Sequence, residues 1–204
     1  MSKYNPKIHN RKSIRLKGYD YSKAGLYFVT ICCQNRTHFF GEIKNGELFL
    51  NDAGKMICKW YSALENKFPD IKCHEMIVMP NHFHCIIEIT DSTVGIDQCV
   101  NPNQCVNPNQ CVNPDDEPNS VLDEHAGSSL RVGSSLHQII QWFKTMTTNE
   151  YIRGVKNHHW RRFDKKLWQR NYWEHIIRND ESFDRISNYI KNNPENWEKD
   201  KLKM

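Results

Sequence analysis

Apolar residues occur in short blocks along the chain, and the spacing inside each block predicts a structural element. Four blocks have the composition of strands, and they cover residues 25–33, 39–50, 71–79 and 82–90. The second block contains Asn45-Gly46, a pair that favours the tight turn of a β-hairpin. Only Pro80-Asn81 separates the last two blocks, so we expect them to be neighbouring strands.

Helical spacing marks three further segments, each bounded by a capping residue or a proline. They are residues 51–68, a stretch that begins at Ser135, and residues 179–193. In the first, Ile57, Trp60 and Leu64 share one helical face. Ser135 and Gln138 form a capping box at the start of the second, and Pro194 stops the third.

The order of these elements predicts the fold class. A short strand is expected near 166–170, which gives the order strand, hairpin, helix, strand, strand, helix, strand, helix. Without the hairpin this is β-α-β-β-α-β followed by a C-terminal helix. We therefore expect an α+β protein with a ferredoxin-like antiparallel sheet, helices packed on one face, an extra β-hairpin and a C-terminal helix.

One segment breaks the pattern. Residues 98–115 read QCVNPN, QCVNPN, QCVNPD, and an acidic stretch follows them. Each copy contains Pro and Asn and has no helical period, so residues 97–125 are interpreted as a flexible insertion. Nothing before or after it resembles an independent domain, and we expect residues 1–204 to form a single domain that carries this insertion.

Composition excludes several classes of protein. The 204 residues contain 11% aromatic side chains, too many for a disordered chain. No apolar run is long enough to cross a bilayer, and the N-terminus has no apolar signal region, so a cytoplasmic protein without membrane contact is expected. The 8 Cys include no C-x-x-C pair, which argues against a zinc ribbon. No phosphate-binding glycine motif is present, so no nucleotide cofactor is expected.

The distribution of charge is more informative than the net charge of +4. Residues 1–23 carry seven Lys or Arg and residues 131–178 carry ten, whereas residues 91–125 carry none. Two basic segments indicate a polyanionic partner, most simply nucleic acid. An ordinary solvated surface is the alternative.

Two clusters of residues could carry chemistry. His82 and His84 lie two apart on a predicted strand, so their imidazoles share a face and could bind a metal ion with a third ligand from elsewhere. The alternative is two polar histidines on a solvated strand. Tyr189 lies one helical turn before Asn193 at the edge of an apolar stripe. A tyrosine at that position usually only packs, but a metal-polarised phosphate would make it a nucleophile.

Three blocks of sequence resemble one known family. Val78-Met-Pro-Asn-His82-Phe-His84 resembles the MPNHxH core of the HUH single-strand DNA transposases, and of their REP-associated tyrosine transposases in particular. The stretch from Leu167 to Arg178 (LWQRNYWEHIIR) is similar to a second block of that group. Arg185 to Pro194 (RISNYIKNNP) resembles the block that holds its tyrosine. The three blocks occur in the family's order across residues 24–197.

The resemblance implies a function. Members have the ferredoxin-like fold and use one tyrosine and a divalent metal to cleave single-stranded DNA near an imperfect hairpin. The family's catalytic tyrosine falls on Tyr189 in the C-terminal helix, its two histidines on His82 and His84, and its third metal ligand on Asn193. The implied cofactor is Mg²⁺ or Mn²⁺, and a set of two imidazoles and one amide suits Mn²⁺ better.

The resemblance and the basic segments together predict the DNA contacts. They are Lys12, Arg15, Lys17, Arg161, Arg162, Lys165, Lys166, Arg170 and Arg178. The expected partner is single-stranded or hairpin DNA, and the protein would be a monomer or a homodimer. Two alternatives remain, a domesticated hairpin-DNA-binding protein without transposition activity and a zinc protein that uses Cys and His. The intact His82, His84 and Tyr189 argue against the first, and the absence of a spaced Cys motif argues against the second.

Overall fold

The computed structural model describes residues 15–16, 18–91 and 133–203. The predicted insertion at 97–125 and two predicted DNA contacts, Lys12 and Lys17, lie outside the described residues. The described strands and helices are β1 (Gly25–Cys32), β2 (Gly41–Lys44), β3 (Glu47–Leu50), α1 (Asp52–Ser62), α2 (Leu64–Lys67), β4 (Ile71–Met79), β5 (His82–Ile89), α3 (Leu136–Asn157), β6 (Trp173–Ile177) and α4 (Asp180–Lys191).

The main sheet has four strands in the order β4-β5-β1-β6. Every neighbouring pair in it is antiparallel. With α1 and α3 as the two crossover helices, this is the expected ferredoxin-like α+β fold. The extra hairpin is also confirmed, because β2 pairs with β3 across Asn45 and Gly46, which have φ angles of 53° and 79°. Positive φ at both positions is what a tight hairpin turn requires.

The sheet has an apolar layer on each face. One layer joins the odd-numbered residues of β1 and β5 to α1 and α3, and it includes Tyr27, Val29, Ile31, Phe83, Ile57, Ile139 and Phe143. The opposite layer is smaller and joins the sheet to α4 through Ile86, Ile177, Ile186 and Ile190. The crossover helices therefore share one face, and the C-terminal helix lies on the other.

The predicted strand at 166–170 is wrong, and the fourth strand of the sheet is β6, at Trp173–Ile177. Within 166–170 only Trp168 makes a bridge, with Cys33. The carbonyls of Gln169 and Arg170 accept hydrogen bonds from the Lys144 ammonium, at 2.6 and 3.1 Å. Backbone hydrogen bonds from Gln34 to Leu167 and from Gln169 to Cys32 flank this bridge, so the pairing stops after a single bridge.

The predicted helix over 51–68 is divided between α1 and α2. Asn51 caps it as expected, its side chain accepting from the Gly54 amide at 2.9 Å. Ile57 and Leu64 are buried, and Trp60 is partly buried against the same core. None of the helices in the described ranges has the length and hydrophobicity needed to cross a membrane.

Candidate active site

His82 and His84 lie side by side on β5, facing α4. The intervening Phe83 points into the opposite core, as strand alternation requires. The two imidazole centroids are 4.5 Å apart, and the side chains are 0% and 2% exposed. These histidines are thus buried and close together, unlike polar residues on a solvated strand.

Hydrogen bonds hold both rings in place. The side-chain amide of Asn81 donates to two backbone carbonyls, that of Arg36 at 3.2 Å and that of Leu202 at 2.9 Å. Its carbonyl oxygen therefore accepts from Nδ1 of His82, at 2.7 Å. Since Nδ1 carries the proton, the Nε2 lone pair of His82 is free.

The ring of His84 is held by a hydrogen bond with a residue on the neighbouring strand, β1. Its Nδ1 lies 2.7 Å from the hydroxyl of Thr30, which is its partner in the β1–β5 register. Burial, reinforced by His84, lowers the pKa of His82 to about 2, and burial lowers the pKa of His84 to about 3. Both imidazoles are therefore neutral at pH 7, the form that binds metals.

Tyr189 approaches the histidines from α4. The helix begins at its cap Asn179, which accepts from the Ser182 amide at 2.9 Å, and it packs on the sheet through Ile186 and Ile190. The phenol oxygen of Tyr189 is 3.5 Å from Nε2 of His84, and its side chain is 47% exposed. Burial raises the pKa of Tyr189, and a hydrogen bond with Asn193 opposes that rise.

Asn193 lies just beyond α4 rather than within its last turn. The helix ends at Lys191, and the Asn193 amide bonds back to the carbonyl of Ile190 at 3.3 Å. The side chain is 3% exposed, and its Oδ1 has no hydrogen-bond partner. The amide oxygen is therefore buried beside the Tyr189 phenol and available to a ligand.

Sequence reasoning missed one residue of the site, Asp200. Its Oδ2 is 3.7 Å from Nε2 of His82, and the indole of Trp197, in the same C-terminal segment, stacks on the His82 ring at 6.0 Å. Arg36 holds this segment by donating to the carbonyl of Lys201 at 2.8 Å. Trp197, an aromatic residue within a polar stretch, is the one signal in the sequence that could have indicated that this segment packs on the protein.

The donor atoms around the histidines suit a divalent cation. His82 Nε2, Asn193 Oδ1 and Asp200 Oδ2 are all buried without a hydrogen-bond partner. Nitrogen and oxygen donors together suit Mn²⁺, and the carboxylate is also compatible with Mg²⁺. Among the described residues, no three His, Cys, Asp or Glu side chains form a group that could hold a metal ion by themselves, so the Asn193 amide or a substrate oxygen would have to be among the ligands.

Tyr172, another tyrosine in a motif block, is not part of this site. It is 5% exposed and packs in the core layer on the α3 side of the sheet. The guanidinium of Arg15 lies 5.0 Å from its ring centroid. Burial raises the pKa of Tyr172 to about 12, an effect that Arg15 partly opposes. Tyr189 is the tyrosine whose hydroxyl reaches the histidines.

The predicted DNA contacts among the described residues line two clefts and one loop. Arg15, Lys166 and Arg170 line a cleft between α3 and residues 166–172, and its described lining residues include no acid. A second cleft, between β6 and the start of α4, is lined by Arg15 and Arg178. Arg161, Arg162 and Lys165 are exposed in the loop that follows α3.

Sequence reasoning also missed Lys144, which lines the first cleft. Burial lowers the pKa of Lys144 to about 8. The sequence around Lys144 does not indicate that its ammonium donates to the carbonyls of Gln169 and Arg170, because these contacts join segments that are far apart along the chain.

Comparison with known proteins gives matches at three levels. Residues 125–193 match the family model for transposases described as IS200-like. An uncharacterised protein of Haemophilus influenzae strain Rd is 38% identical over 204 residues, 98% of this chain and 97% of the relative. The family segment contains Tyr189 and Asn193, and the H. influenzae match extends over nearly the whole chain.

Two solved structures match at lower similarity. A REP-associated tyrosine transposase bound to a REP hairpin is 18% identical, with a TM-score of 0.44 over 95% of this chain and 73% of that one. A protein described as a transposase from Deinococcus radiodurans R1 is 13% identical, with a TM-score of 0.41 over 87% of this chain and 95% of that one.

Proposed function

We propose that this chain, whose residues 125–193 match the IS200-like transposase family, is a metal-dependent endonuclease and strand transferase. Its substrate is single-stranded DNA beside an imperfect, REP-like hairpin, and it acts through a 5′-phosphotyrosine intermediate. One observation carries the proposal: the Tyr189 phenol lies 3.5 Å from Nε2 of His84, and three buried acceptor atoms of the site, on His82, Asn193 and Asp200, have no hydrogen-bond partner.

In the proposed reaction, Tyr189 is the nucleophile. Its oxygen forms a bond to phosphorus as the bond from phosphorus to the 3′-oxygen breaks. The phenol loses a proton, the leaving 3′-oxygen gains one, and the 5′ end stays esterified to the enzyme. One phosphate ester replaces another, so a second 3′-hydroxyl can reverse the step on a different strand without ATP.

His82, His84 and Asn193 are the residues that would hold Mg²⁺ or Mn²⁺. The bound cation would neutralise a non-bridging phosphate oxygen and make the phosphorus more electrophilic. Thr30 and Asn81 fix the two imidazoles. Asn193, whose side chain opposes the rise in the pKa of the Tyr189 phenol, would orient nucleophile and phosphate together, and such positioning accounts for much of the rate of intramolecular reactions.

The two clefts that contain the predicted DNA contacts would bind the DNA. Arg15, Lys166 and Arg170 would contact phosphates, and the exposed Trp173, on β6, could stack on an unpaired base. We propose that the protein works in the cytoplasm as a monomer or a homodimer.

The test uses a labelled hairpin oligonucleotide with single-stranded flanks. We expect cleavage in Mn²⁺, no cleavage in EDTA, and little cleavage of the matching duplex. His82→Ala and His84→Ala should each abolish cleavage while DNA affinity stays within a few-fold, because backbone contacts carry most of the binding. Hairpin binding without cleavage under any metal condition would instead favour a domesticated DNA-binding protein.

A further inference from the structure

Asp200 has a carboxylate oxygen that faces a ring nitrogen of His82, and no hydrogen bond joins the two atoms. Its Oδ1 accepts from the backbone amide of Leu202 at 2.7 Å, which fixes the orientation of the side chain. Oδ2 is consequently directed toward Nε2 of His82, 3.7 Å away. The Asp200 side chain is 9% exposed, and Oδ2 has no hydrogen-bond partner.

Nε2 of His82 is also an acceptor. Asn81 has no donor left for His82, since both of its amide hydrogens go to the carbonyls of Arg36 and Leu202. The Asn81 oxygen must then accept the Nδ1 proton of His82, which leaves Nε2 bare in the neutral ring. Two buried acceptors that face each other are unfavourable unless a cation lies between them.

We propose that Asp200 is a ligand of the divalent cation, paired with His82, so that the C-terminal segment adds one ligand to those from β5 and Asn193. This inference rests on the proposed function, because it assigns a further ligand to the same site. It adds a residue that lies outside the three motif blocks, and it explains why residues 197–202 are held against β5 by Asn81, Arg36 and the His82–Trp197 stack. A carboxylate would also make the site better suited to a hard cation.

The test measures metal binding without DNA. Free Mn²⁺ would be counted by its electron paramagnetic resonance signal during titration of the full chain. The key variant is Asp200→Asn, which keeps the shape of the side chain. Glu198→Gln is the matched control, because Glu198 is in the same segment with a side chain that is 80% exposed. His82→Ala serves as the reference for loss of the site.

We expect Asp200→Asn to weaken Mn²⁺ binding about 10-fold or more, and Glu198→Gln to leave it unchanged. Unchanged binding in Asp200→Asn, with binding lost in His82→Ala, would refute the role of Asp200 and leave the proposed function intact. If wild-type protein bound no Mn²⁺, both the ligand assignment and the proposed metal dependence would fail.

Thermal unfolding in EDTA gives a second readout that does not depend on the metal. An Asn at position 200 can donate to Nε2 of His82, so Asp200→Asn should raise the Tm of the metal-free protein by a few degrees. If His82 were instead protonated and ion-paired with Asp200, the Tm would fall, and the proposal would be wrong. Should Asp200→Asn fail to fold, Asp200→Ser removes the same charge, and the Mn²⁺ titration with it decides the question.

Discussion

At the scale of single residues, Asn81 connects three parts of the molecule through one buried amide. It bonds to the ring of His82, to the carbonyl of Arg36 and to the carbonyl of Leu202 in the C-terminal segment. Its side chain therefore sets the ring orientation of His82 and helps to hold the segment that carries Asp200.

We expect Asn81→Ala to lower the free energy of unfolding by about 3 kcal/mol, because it leaves buried polar partners unsatisfied. Affinity for Mn²⁺ should fall about 10- to 100-fold, since the orientation of His82 is lost. Urea unfolding and Mn²⁺ titration measure the two effects. Asn188→Ala, on the exposed side of α4, is the control. Asn81→Ala protein with wild-type Mn²⁺ affinity would show that Asn81 does not position His82.

The two buried imidazoles make stability depend on pH. In the folded protein the pKa values of His82 and His84 are lowered from 6.5 to about 2 and about 3. Below pH 6.5 the unfolded chain therefore binds protons that the folded chain does not, so stability falls as pH falls through that window.

In metal-free buffer, we expect the free energy of unfolding to decrease between pH 7 and about pH 4, and less steeply in the His82→Gln/His84→Gln double variant. Urea midpoints at several pH values measure this. Parallel pH profiles for the two proteins would mean that these histidines titrate alike in the folded and unfolded states.

At the scale of elements, the local pattern of the sequence predicts most strands and helices. It does not decide which of two adjacent segments with strand-like composition joins the sheet. The H-x-H spacing correctly predicts that His82 and His84 share a face, since strand periodicity is a local property. Their burial is not predictable in that way, because it depends on α4 packing over His84 and on the C-terminal segment packing over His82. Likewise, residues 166–170 and 173–177 are both plausible strands by composition, and only the second pairs along β1, while the first makes a single bridge to Cys33.

Near its C-terminal end, helix α3 packs closely against the ring of Trp160 at Gly154. A Cβ on Gly154 would lie 2.2 Å from the ring of Trp160, which begins the basic loop containing Arg161 and Arg162. Replacing a helical glycine with alanine normally stabilises a helix by about 1 kcal/mol.

Here we expect Gly154→Ala to destabilise the protein by about 1–3 kcal/mol, since the methyl group must displace the indole. Urea unfolding measures the change, and a Trp160→Ala background supplies the control because the clash is absent there. If Gly154→Ala stabilised the wild-type protein, the contact would not constrain the helix.

At the scale of the whole molecule, Asp70 joins the two described ends that flank the predicted insertion. Its carbonyl accepts from the amide of Thr90 at 2.8 Å, and its carboxylate accepts from the amide of Ser134 at 2.5 Å. The chain thus leaves the sheet and returns to α3 at nearly the same place. A short connection can span that distance, and the entropy of closing a loop changes slowly with its length.

We expect a variant with residues 97–125 replaced by a short Gly/Ser linker to unfold cooperatively, with a Tm within a few degrees of wild type, and to cleave hairpin DNA at a similar rate. Calorimetry and the cleavage assay measure the two properties. An otherwise equal variant with a scrambled 97–125 sequence separates the effects of length and sequence. Loss of cooperative unfolding or of cleavage in the linker variant would show that the insertion belongs to the working domain.

The site as a whole was only partly predictable from the sequence. His82, His84, Tyr189 and Asn193 occur in recognisable motifs, and the structure brings their side chains together. Asp200 could not be found in this way, because it reaches His82 only through the packing of Trp197 and the hydrogen bonds made by Arg36 and Asn81. Such a residue is positioned by tertiary contacts between segments that are far apart in sequence.

The identity of the attacking residue is the central claim, and a covalent adduct tests it most directly. Wild-type protein, Tyr189→Phe and the control Tyr172→Phe would be incubated with Mn²⁺ and a labelled hairpin strand, denatured, digested and mapped by mass spectrometry. We predict a 5′-phosphotyrosine adduct on Tyr189 in the wild type and in Tyr172→Phe, and neither adduct nor cleavage in Tyr189→Phe. An adduct on Tyr172, or full cleavage by Tyr189→Phe, would contradict the account.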